Sequence, residues 1–304
     1  MLITLFNPFK ISLDHDFNTE MNKKSTRVED LALQCPVCQQ PLHTEGNSLR
    51  CQQGHCFDKA KQGYTNLLLA QHKRSRSPGD DKAMVDARSR FLALGRYQPL
   101  ADTLLKKIEK FWPDANHWLD LGCGEGWYTH QIQQDLPNTQ GIGIDISKEA
   151  VAAAGKRSKD ITWLVASGSR IPLFDDSVDA GALLFTRIFA SELSRVIKPG
   201  GSLVTVGSGE EHLLQLRQTL YPKVNQSNFD AAKELEPLFK LDYQKEIKFE
   251  WIPDSEQELL DLLTMTPHHW RATTERKSQI VELINKPMIA HFMLQIWENC
   301  GPGS

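Results

Sequence analysis

Four cysteines crowded into one short stretch are the residues with the most evident chemistry. Cys35, Cys38, Cys51 and Cys56 lie close together, while Cys123 and Cys300 stand apart. The segment reads Cys35-Pro36-Val37-Cys38, a spacer, then Cys51-Gln52-Gln53-Gly54-His55. A Cys-x-x-Cys turn lets two thiolates reach one ion while backbone amides donate to the sulfurs. A second pair across a hairpin completes a tetrahedron around zinc. Gly46-Asn47-Ser48 supplies the turn between the pairs. Cys35, Cys38 and Cys51 are therefore candidate metal ligands. For the fourth position His55 and its neighbour Cys56 both stay open. Reduced core cysteines would not need two pairs at this spacing. A redox Cys-x-x-Cys would sit in a βαβ pattern, which does not surround it. A segment of about forty residues buries little core, so the metal would contribute on the order of 10 kcal/mol to its folding.

The second chemical feature is the loop Gly122-Cys123-Gly124-Glu125-Gly126. It follows Trp118-Leu119-Asp120-Leu121, a short strand, and precedes a helix over 127–136. Glycines let a ligand approach the backbone without meeting a Cβ. Gly141-Ile142-Gly143-Ile144-Asp145 is a second strand that ends in an acid placed to accept two ribose hydroxyls. A dinucleotide is the obvious rival ligand, and two details favour S-adenosylmethionine. Asp120 sits two residues before the glycines, where a carboxylate can hold the methionine ammonium through a water. The glycines read Gly-x-Gly-x-Gly, with no helix start shaped for pyrophosphate. The set Asp120 to Gly126, Asp145 and Lys198-Pro199-Gly200-Gly201 resembles the seven-strand methyltransferase superfamily.

The elements that must position these residues alternate. After the two strands come a helix over 150–157, a strand over 161–166, a strand over 178–185, a helix over 191–197, the Lys198–Gly201 turn and a strand over 202–206. Alternating strands and helices predict a parallel sheet covered on both faces. Upstream, Met84, Ala87, Phe91 and Leu94 are spaced as one helix face, ended by Gly95. A second amphipathic helix begins at Pro99 and carries Leu100, Leu104, Leu105, Ile108 and Phe111. Further on, 245–252 reads as strand and 257–263 as helix.

At 304 residues, 40% hydrophobic and 24% charged, the chain has room for one large and one small globular domain. No apolar run reaches the roughly 18 residues that span a bilayer. The apolar start Met1–Phe9 is soon followed by Asp14, Asp16 and Glu20, which makes a poor signal peptide. Clustered cysteines without a secretion signal suggest metal and a cytoplasmic location. The net charge of −3 excludes a general polycation, yet Gln71-His72-Lys73-Arg74-Ser75-Arg76 is a compact basic run. It suits either contact with a nucleic-acid backbone or a solvated linker. The expected division is an extension without fixed structure over 1–30, a zinc-binding domain over 31–69, a basic linker over 70–82 and a methyltransferase domain over 83–300. Gly301-Pro302-Gly303-Ser304 reads as a flexible tail.

A closer resemblance spans residues 33 to 297. It rests on Cys-Pro-x-Cys with Cys51-x-x-x-His55, Phe57-Asp58, Gly63-Tyr64-x-Asn66-Leu67-Leu68, and the basic run continued by Pro78-Gly79-Asp80. It also rests on Tyr97-Gln98-Pro99-Leu100 and Met265-Thr266-Pro267-x-x-Trp270-Arg271-Ala272. Together these resemble the bacterial 23S ribosomal RNA (guanine-N1)-methyltransferase family. The resemblance implies a Rossmann-like seven-strand class I sheet behind a small zinc-ribbon-like domain. It implies Zn2+ on Cys35, Cys38, Cys51 and His55, which demotes Cys56 to a neighbour. It implies S-adenosylmethionine bound by Tyr97, Asp120, Gly122, Gly124, Glu125, Gly126, Asp145 and His212, with 23S ribosomal RNA as substrate and a homodimer as the assembly. Taken alone, Tyr97 would read as core, and His212 as an exposed histidine just past the fifth strand.

The chain departs from the family after the fourth strand. There the family carries an Ala-Pro-Cys-like stretch, whereas this sequence reads Phe185-Thr186-Arg187-Ile188-Phe189-Ala190 and is shortened. Methyl transfer to guanine N1 also requires a base or solvent relay for the departing proton, and the sequence names no residue for it. Two other readings fit the residues: a small-metabolite methyltransferase with a structural zinc module, and an RNA-binding relative that has lost transfer.

Overall fold

The computed structural model describes residues 33–73, 75, 77–224 and 229–301. The extension over 1–30, Arg74 and Arg76 of the basic run, and the tail from Pro302 lie outside the described residues.

The cysteine segment forms a small antiparallel sheet. Its strands β1 (His43–Glu45), β2 (Ser48–Arg50) and β3 (Cys56–Asp58) lie in sequence order. Gly46 turns β1 into β2 at φ +61°, a left-handed conformation that favours glycine. The next strand, β4 (Tyr64–Asn66), leaves this sheet and pairs elsewhere.

Two helices follow. α1 (Lys82–Ala93) is capped by Asp81, whose Oδ1 accepts from the Met84 amide at 2.9 Å. α2 (Gln98–Phe111) begins with Pro99 in its first turn. The α1 face turned inward carries Val85, Ala87, Phe91 and Leu92, so Ala87 and Phe91 of the expected stripe are buried while Val85 and Leu92 take the places expected of Met84 and Leu94. Leu94 lies past the helix end and is half exposed.

The body then alternates as its pattern predicts. β5 (His117–Leu121), α3 (Trp127–Asp135), β6 (Gln140–Asp145), α4 (Lys148–Arg157) and β7 (Thr162–Val165) build one wing. β8 (Val178–Leu184), α5 (Ala190–Val196), β9 (Ile197–Ser208), α6 (Leu214–Leu220) and α7 (Ala232–Leu235) build the other. β9 takes in the Lys198–Gly201 turn as an irregularity, and its register on β8 shifts between Val178 and Ala180. Lys198 Nζ donates to Asp179 at 2.6 Å, and buried Asn299 donates to the Ile197 carbonyl at 2.7 Å, so the turn is held inside the strand. The chain ends with β10 (Phe239–Trp251), α8 (Glu256–Thr264), α9 (His268–Arg271), α10 (Thr274–Ser278) and β11 (Met288–Asn299).

From edge to edge the large sheet runs β10-β11-β9-β8-β5-β6-β7-β4. β11 runs antiparallel to both neighbours, and the other described pairs are parallel. From β10 to β7 this is the seven-strand class I methyltransferase sheet, and β4 adds an eighth strand at the far edge. The chain reverses its direction of travel across the sheet between β5 and β8. The carboxyl ends of those strands therefore open a crevice of the kind in which α/β sheets bind ligands.

The cysteine segment is not packed on itself alone. Leu33, Cys35, Leu42, Leu49, Cys51 and Leu67 share one apolar cluster with Leu119, Leu121, Ile142 and Leu164 of the large sheet. Backbone bonds join the two as well, with Gln34 N donating to Pro172 O and Leu67 N to Val165 O, both at 2.9 Å. Among the described residues no helix is long and apolar enough to cross a membrane.

Candidate active site and metal centre

The metal candidates converge. One ligand atom each from Cys35, Cys38, Cys51 and His55 lies within 4.8 Å of every other. Cys51 Sγ is 3.3 Å from His55 Nδ1, Cys35 Sγ is 3.7 Å from the same nitrogen, and Cys38 Sγ is 3.6 Å from Cys51 Sγ. A zinc tetrahedron with Zn–S near 2.3 Å and Zn–N near 2.0 Å has edges of roughly 3.5–3.8 Å. The 3.6 and 3.7 Å edges fall in that range, and the Cys51–His55 edge is slightly shorter. Cys56 points elsewhere: it is exposed on β3, with its thiol directed to Asp58 at 3.9 Å. Gly54 between the second pair takes φ +82°, which bends the chain so that His55 returns toward Cys51.

The glycine loop lies between β5 and α3 at the carboxyl edge. Its three glycines all have left-handed φ, but their surroundings differ. A Cβ on Gly122 would meet Thr186 at 2.5 Å, and one on Gly126 would meet the Trp163 ring at 2.6 Å. Those two let the loop pack. A Cβ on Gly124 would meet only the tip of Arg88, at 3.4 Å, so its far side is open. That open side is where a ligand can approach the backbone.

Two carboxylates flank the loop. Asp120 is buried at the end of β5, where its Oδ2 accepts from Thr129 Oγ1 at 2.6 Å and its Oδ1 has no partner. Burial pushes its carboxyl from the ordinary 3.8 up to about 7, with Asp145 and Glu125 adding to the rise and the Thr129 bond opposing it. An unpaired buried oxygen is costly, and an ammonium reached through a water is the kind of partner that relieves it. Asp145 ends β6. Its two oxygens accept from Gly124 N at 3.1 Å and from Ser147 N at 2.7 Å. Burial raises its pKa while these two amides lower it. The orphaned Asp120 oxygen, the open side of Gly124 and the acid on β6 all fit S-adenosylmethionine.

Glu125 is buried too. It pairs with Arg88 of α1 at 3.7 Å, and burial raises its pKa. Arg88 also donates to Asp80 at 2.5 Å and to the Met265 carbonyl at 3.5 Å. Ser147 Oγ donates to the Asp80 carbonyl at 2.6 Å, which ties the segment before α1 across the end of β6. Arg88, which holds Glu125 and Asp80, and Thr129, which holds Asp120, were not singled out from the sequence.

Tyr97 and His212 meet each other, with the phenol oxygen 3.4 Å from His212 Nε2. Tyr97 is buried and edge-on to Phe91 and Phe292. His212 packs at a tilt against Phe292, with ring centroids 4.6 Å apart. Burial, with Arg217, His268 and His291 nearby, pushes His212 down to about 3, so it is neutral at pH 7. Phe292 touches Phe185, and Phe185 touches Tyr128 just after the glycine loop. An aromatic wall thus runs from the loop to His212. The departing stretch contributes to it: Phe185 follows β8 at φ +57° with its ring 43% exposed. A non-glycine residue there is strained, and its amide bond to Val206 O at 2.9 Å helps hold it.

Of the basic run, His72 lies 3.1 Å from Arg170 on the loop beyond β7, and Lys73 is exposed nearby. Together with Pro36, Leu67 and Ser167, His72 and Arg170 line a cleft where the cysteine segment meets the large sheet.

A class I S-adenosylmethionine-dependent methyltransferase is the class that this sheet and loop define. Family models agree on both parts: a zinc ribbon described as "RlmA, N-terminal" matches residues 33–76, and a "Methyltransferase domain" matches residues 119–201. A Bacillus subtilis (strain 168) protein provisionally named a 23S rRNA (guanine-N(1)-)-methyltransferase is 30% identical over 84% of this chain and 94% of its own length. A Micromonospora griseorubida protein of the same provisional name is 28% identical over 84% of this chain and 92% of its own. The 23S rRNA (guanine(748)-N(1))-methyltransferase of Streptomyces fradiae is 32% identical over 62% of this chain and 67% of its own. The chain belongs to the 23S rRNA (guanine-N1)-methyltransferase family. Its cofactors are S-adenosylmethionine and Zn2+.

Proposed function

We propose that this chain methylates N1 of a guanine in 23S ribosomal RNA, in the cytoplasm. The observation that carries the reading is one of extent. The relative of Bacillus subtilis aligns over 94% of its length, so zinc segment, glycine loop and C-terminal elements correspond as one unit. A small-molecule enzyme sharing only the sheet would not align so far.

In this reading Cys35, Cys38, Cys51 and His55 hold the zinc. Asp120 takes the methionine ammonium through a water, Asp145 takes the ribose hydroxyls, and the backbone around Gly124 lies against the bound nucleoside. Glu125 fixes the loop through Arg88. Tyr97 and neutral His212 wall the methionine end. When bound, the cofactor supplies a methyl group on a positively charged sulfur. The protein then holds the acceptor nitrogen in line, and orientation alone is worth up to roughly 7–11 kcal/mol. The exposed Phe185 ring, beside the loop, receives the guanine face. Guanine N1 bears a proton inside a base pair, so the target lies in a loop or is turned out of its stack. Exposed Lys73, near the cleft, contacts the RNA backbone together with the rest of the basic run. The family resemblance further implies a homodimer, which sedimentation of the purified chain reads directly.

The test is methylation of a 23S ribosomal RNA transcript by the zinc-loaded chain with labelled S-adenosylmethionine, followed by mass-spectrometric mapping. A single 1-methylguanine is expected. Label that stays out of RNA but enters a small-molecule extract would refute the assignment.

A further inference from the structure

Trp270 is the most exposed of the large hydrophobic side chains among the described residues, at 66%. A tryptophan left in water forgoes the burial of a large apolar surface, so its site calls for an occupant. The ring is also held in place. It sits on α9, a single turn beginning after Pro267. His269 packs edge-on against it at 4.9 Å, and the adjacent His268 is tied to the Tyr221 hydroxyl at 2.9 Å. Thr266 Oγ1 donates back to the Leu263 carbonyl at 2.9 Å, which fixes the approach to the turn.

The surroundings are cationic. Arg271 is exposed, and Arg276 and Lys277 follow on α10. Among the described residues none of the three pairs with a carboxylate within 4.0 Å. Arg271 acts electrostatically on Tyr221 and His268, and Lys277 on His269, so these charges lie around the same turn. The turn belongs to the rim of the donor site. Met265, five residues before Trp270, gives its carbonyl to Arg88, which holds Glu125 of the glycine loop.

A rigid exposed aromatic among unpaired cations is the arrangement that binds single-stranded nucleic acid, with ring on base and cation on phosphate. We propose that Trp270 stacks an unpaired base of the RNA next to the nucleotide being methylated, with Arg271 and Lys277 on the flanking phosphates. This rests on the ribosomal RNA reading above. Charge complementarity favours this occupant over an apolar protein surface, which would leave the cations buried and unpaired.

The test compares the zinc-loaded wild type, Trp270→Ala, Trp270→Phe and Arg271→Ala/Lys277→Ala on a 23S ribosomal RNA transcript at several KCl concentrations. Kd, KM and kcat are read, with calorimetric S-adenosylmethionine affinity as the control for folding. Trp270→Ala is expected to raise Kd and KM for RNA about tenfold or more, with cofactor affinity and the salt slope unchanged. Trp270→Phe should recover most of the loss, because any aromatic face stacks. The double variant should lower the slope of log Kd against log salt by about one to two. If the wild type binds the transcript and Trp270→Ala binds it equally well, the stacking assignment falls and the function stands. If the wild type neither binds nor methylates the transcript, both fall.

Discussion

Replacing Asp120 by Asn should make the cofactor-free protein more stable and the enzyme nearly useless. Asp120 is fully buried, with one oxygen bonded to Thr129 and the other unpaired. Its rise from 3.8 to about 7 corresponds to about 4 kcal/mol against the ionised form. A carboxyl raised by folding stabilises the fold fully below its ordinary 3.8. That contribution falls as pH rises toward about 7 and is gone above it. At pH 8 the wild type therefore bears the whole penalty, while Asn carries no charge. Asn keeps the acceptor for Thr129 but places an unpartnered amide nitrogen where Oδ1 was, at a cost of roughly 1–3 kcal/mol. The net gain is about 1–3 kcal/mol at pH 8, shrinking by about 2–3 kcal/mol by pH 5. Urea unfolding of the zinc-loaded, cofactor-free protein at the two pH values measures this. Calorimetry at pH 8 should show S-adenosylmethionine bound at least tenfold more weakly, because a charge-assisted contact worth roughly 1.5–3 kcal/mol is lost. In the wild type, cofactor affinity should also fall as pH drops below about 7. An Asn variant that is less stable at pH 8, or that binds the cofactor like the wild type, would refute the reasoning.

Asp145→Ala should weaken cofactor binding by about tenfold or more, since the ribose loses its acceptor and the Gly124 amide loses its anchor; an unchanged Kd by calorimetry would remove Asp145 from the site. Cys38→Ser should lower zinc content measured by atomic absorption, and Cys56→Ser should not. Zinc removal by a chelator should lower the melting temperature of the whole chain in one transition, because Leu42 and Leu49 share a core with Leu119 and Ile142; calorimetry showing a separate early transition would contradict that. Arg96→Ala should cost about 3–5 kcal/mol, since it leaves Glu258, bonded at 2.7 Å and buried, without its cation; urea unfolding reads it.

The sequence disclosed whatever depends on local spacing. Cys-x-x-Cys, the glycine loop and the acid at the end of β6 are short-range patterns, and each lands where its spacing requires. Helices α1 and α2 were readable from their apolar periodicity and from Pro99. The final strand β11 was not, because Ala290, Phe292, Leu294 and Ile296 are buried and so are intervening residues such as His291 and Gln295. A strand covered on both faces loses the alternation that identifies strands. β4 was missed for a different reason, being only three residues long and paired to a partner far along the chain. Tyr97 and His212 entered through family resemblance alone, and their contact joins positions more than a hundred residues apart. Arg88 escaped notice because an arginine on a helix reads as solvated until its carboxylates are known.

β4 also has a consequence for how the chain is made. It leaves the ribosome about a hundred residues before β7, the strand it pairs with. At 5–20 residues per second that interval is roughly 5–20 s. During this time the metal can already be taken up, while Tyr64, Thr65 and Asn66 wait with one backbone edge unmatched. Closure of that sheet border therefore waits until β7 emerges, about midway through synthesis, although β4 was made well before it.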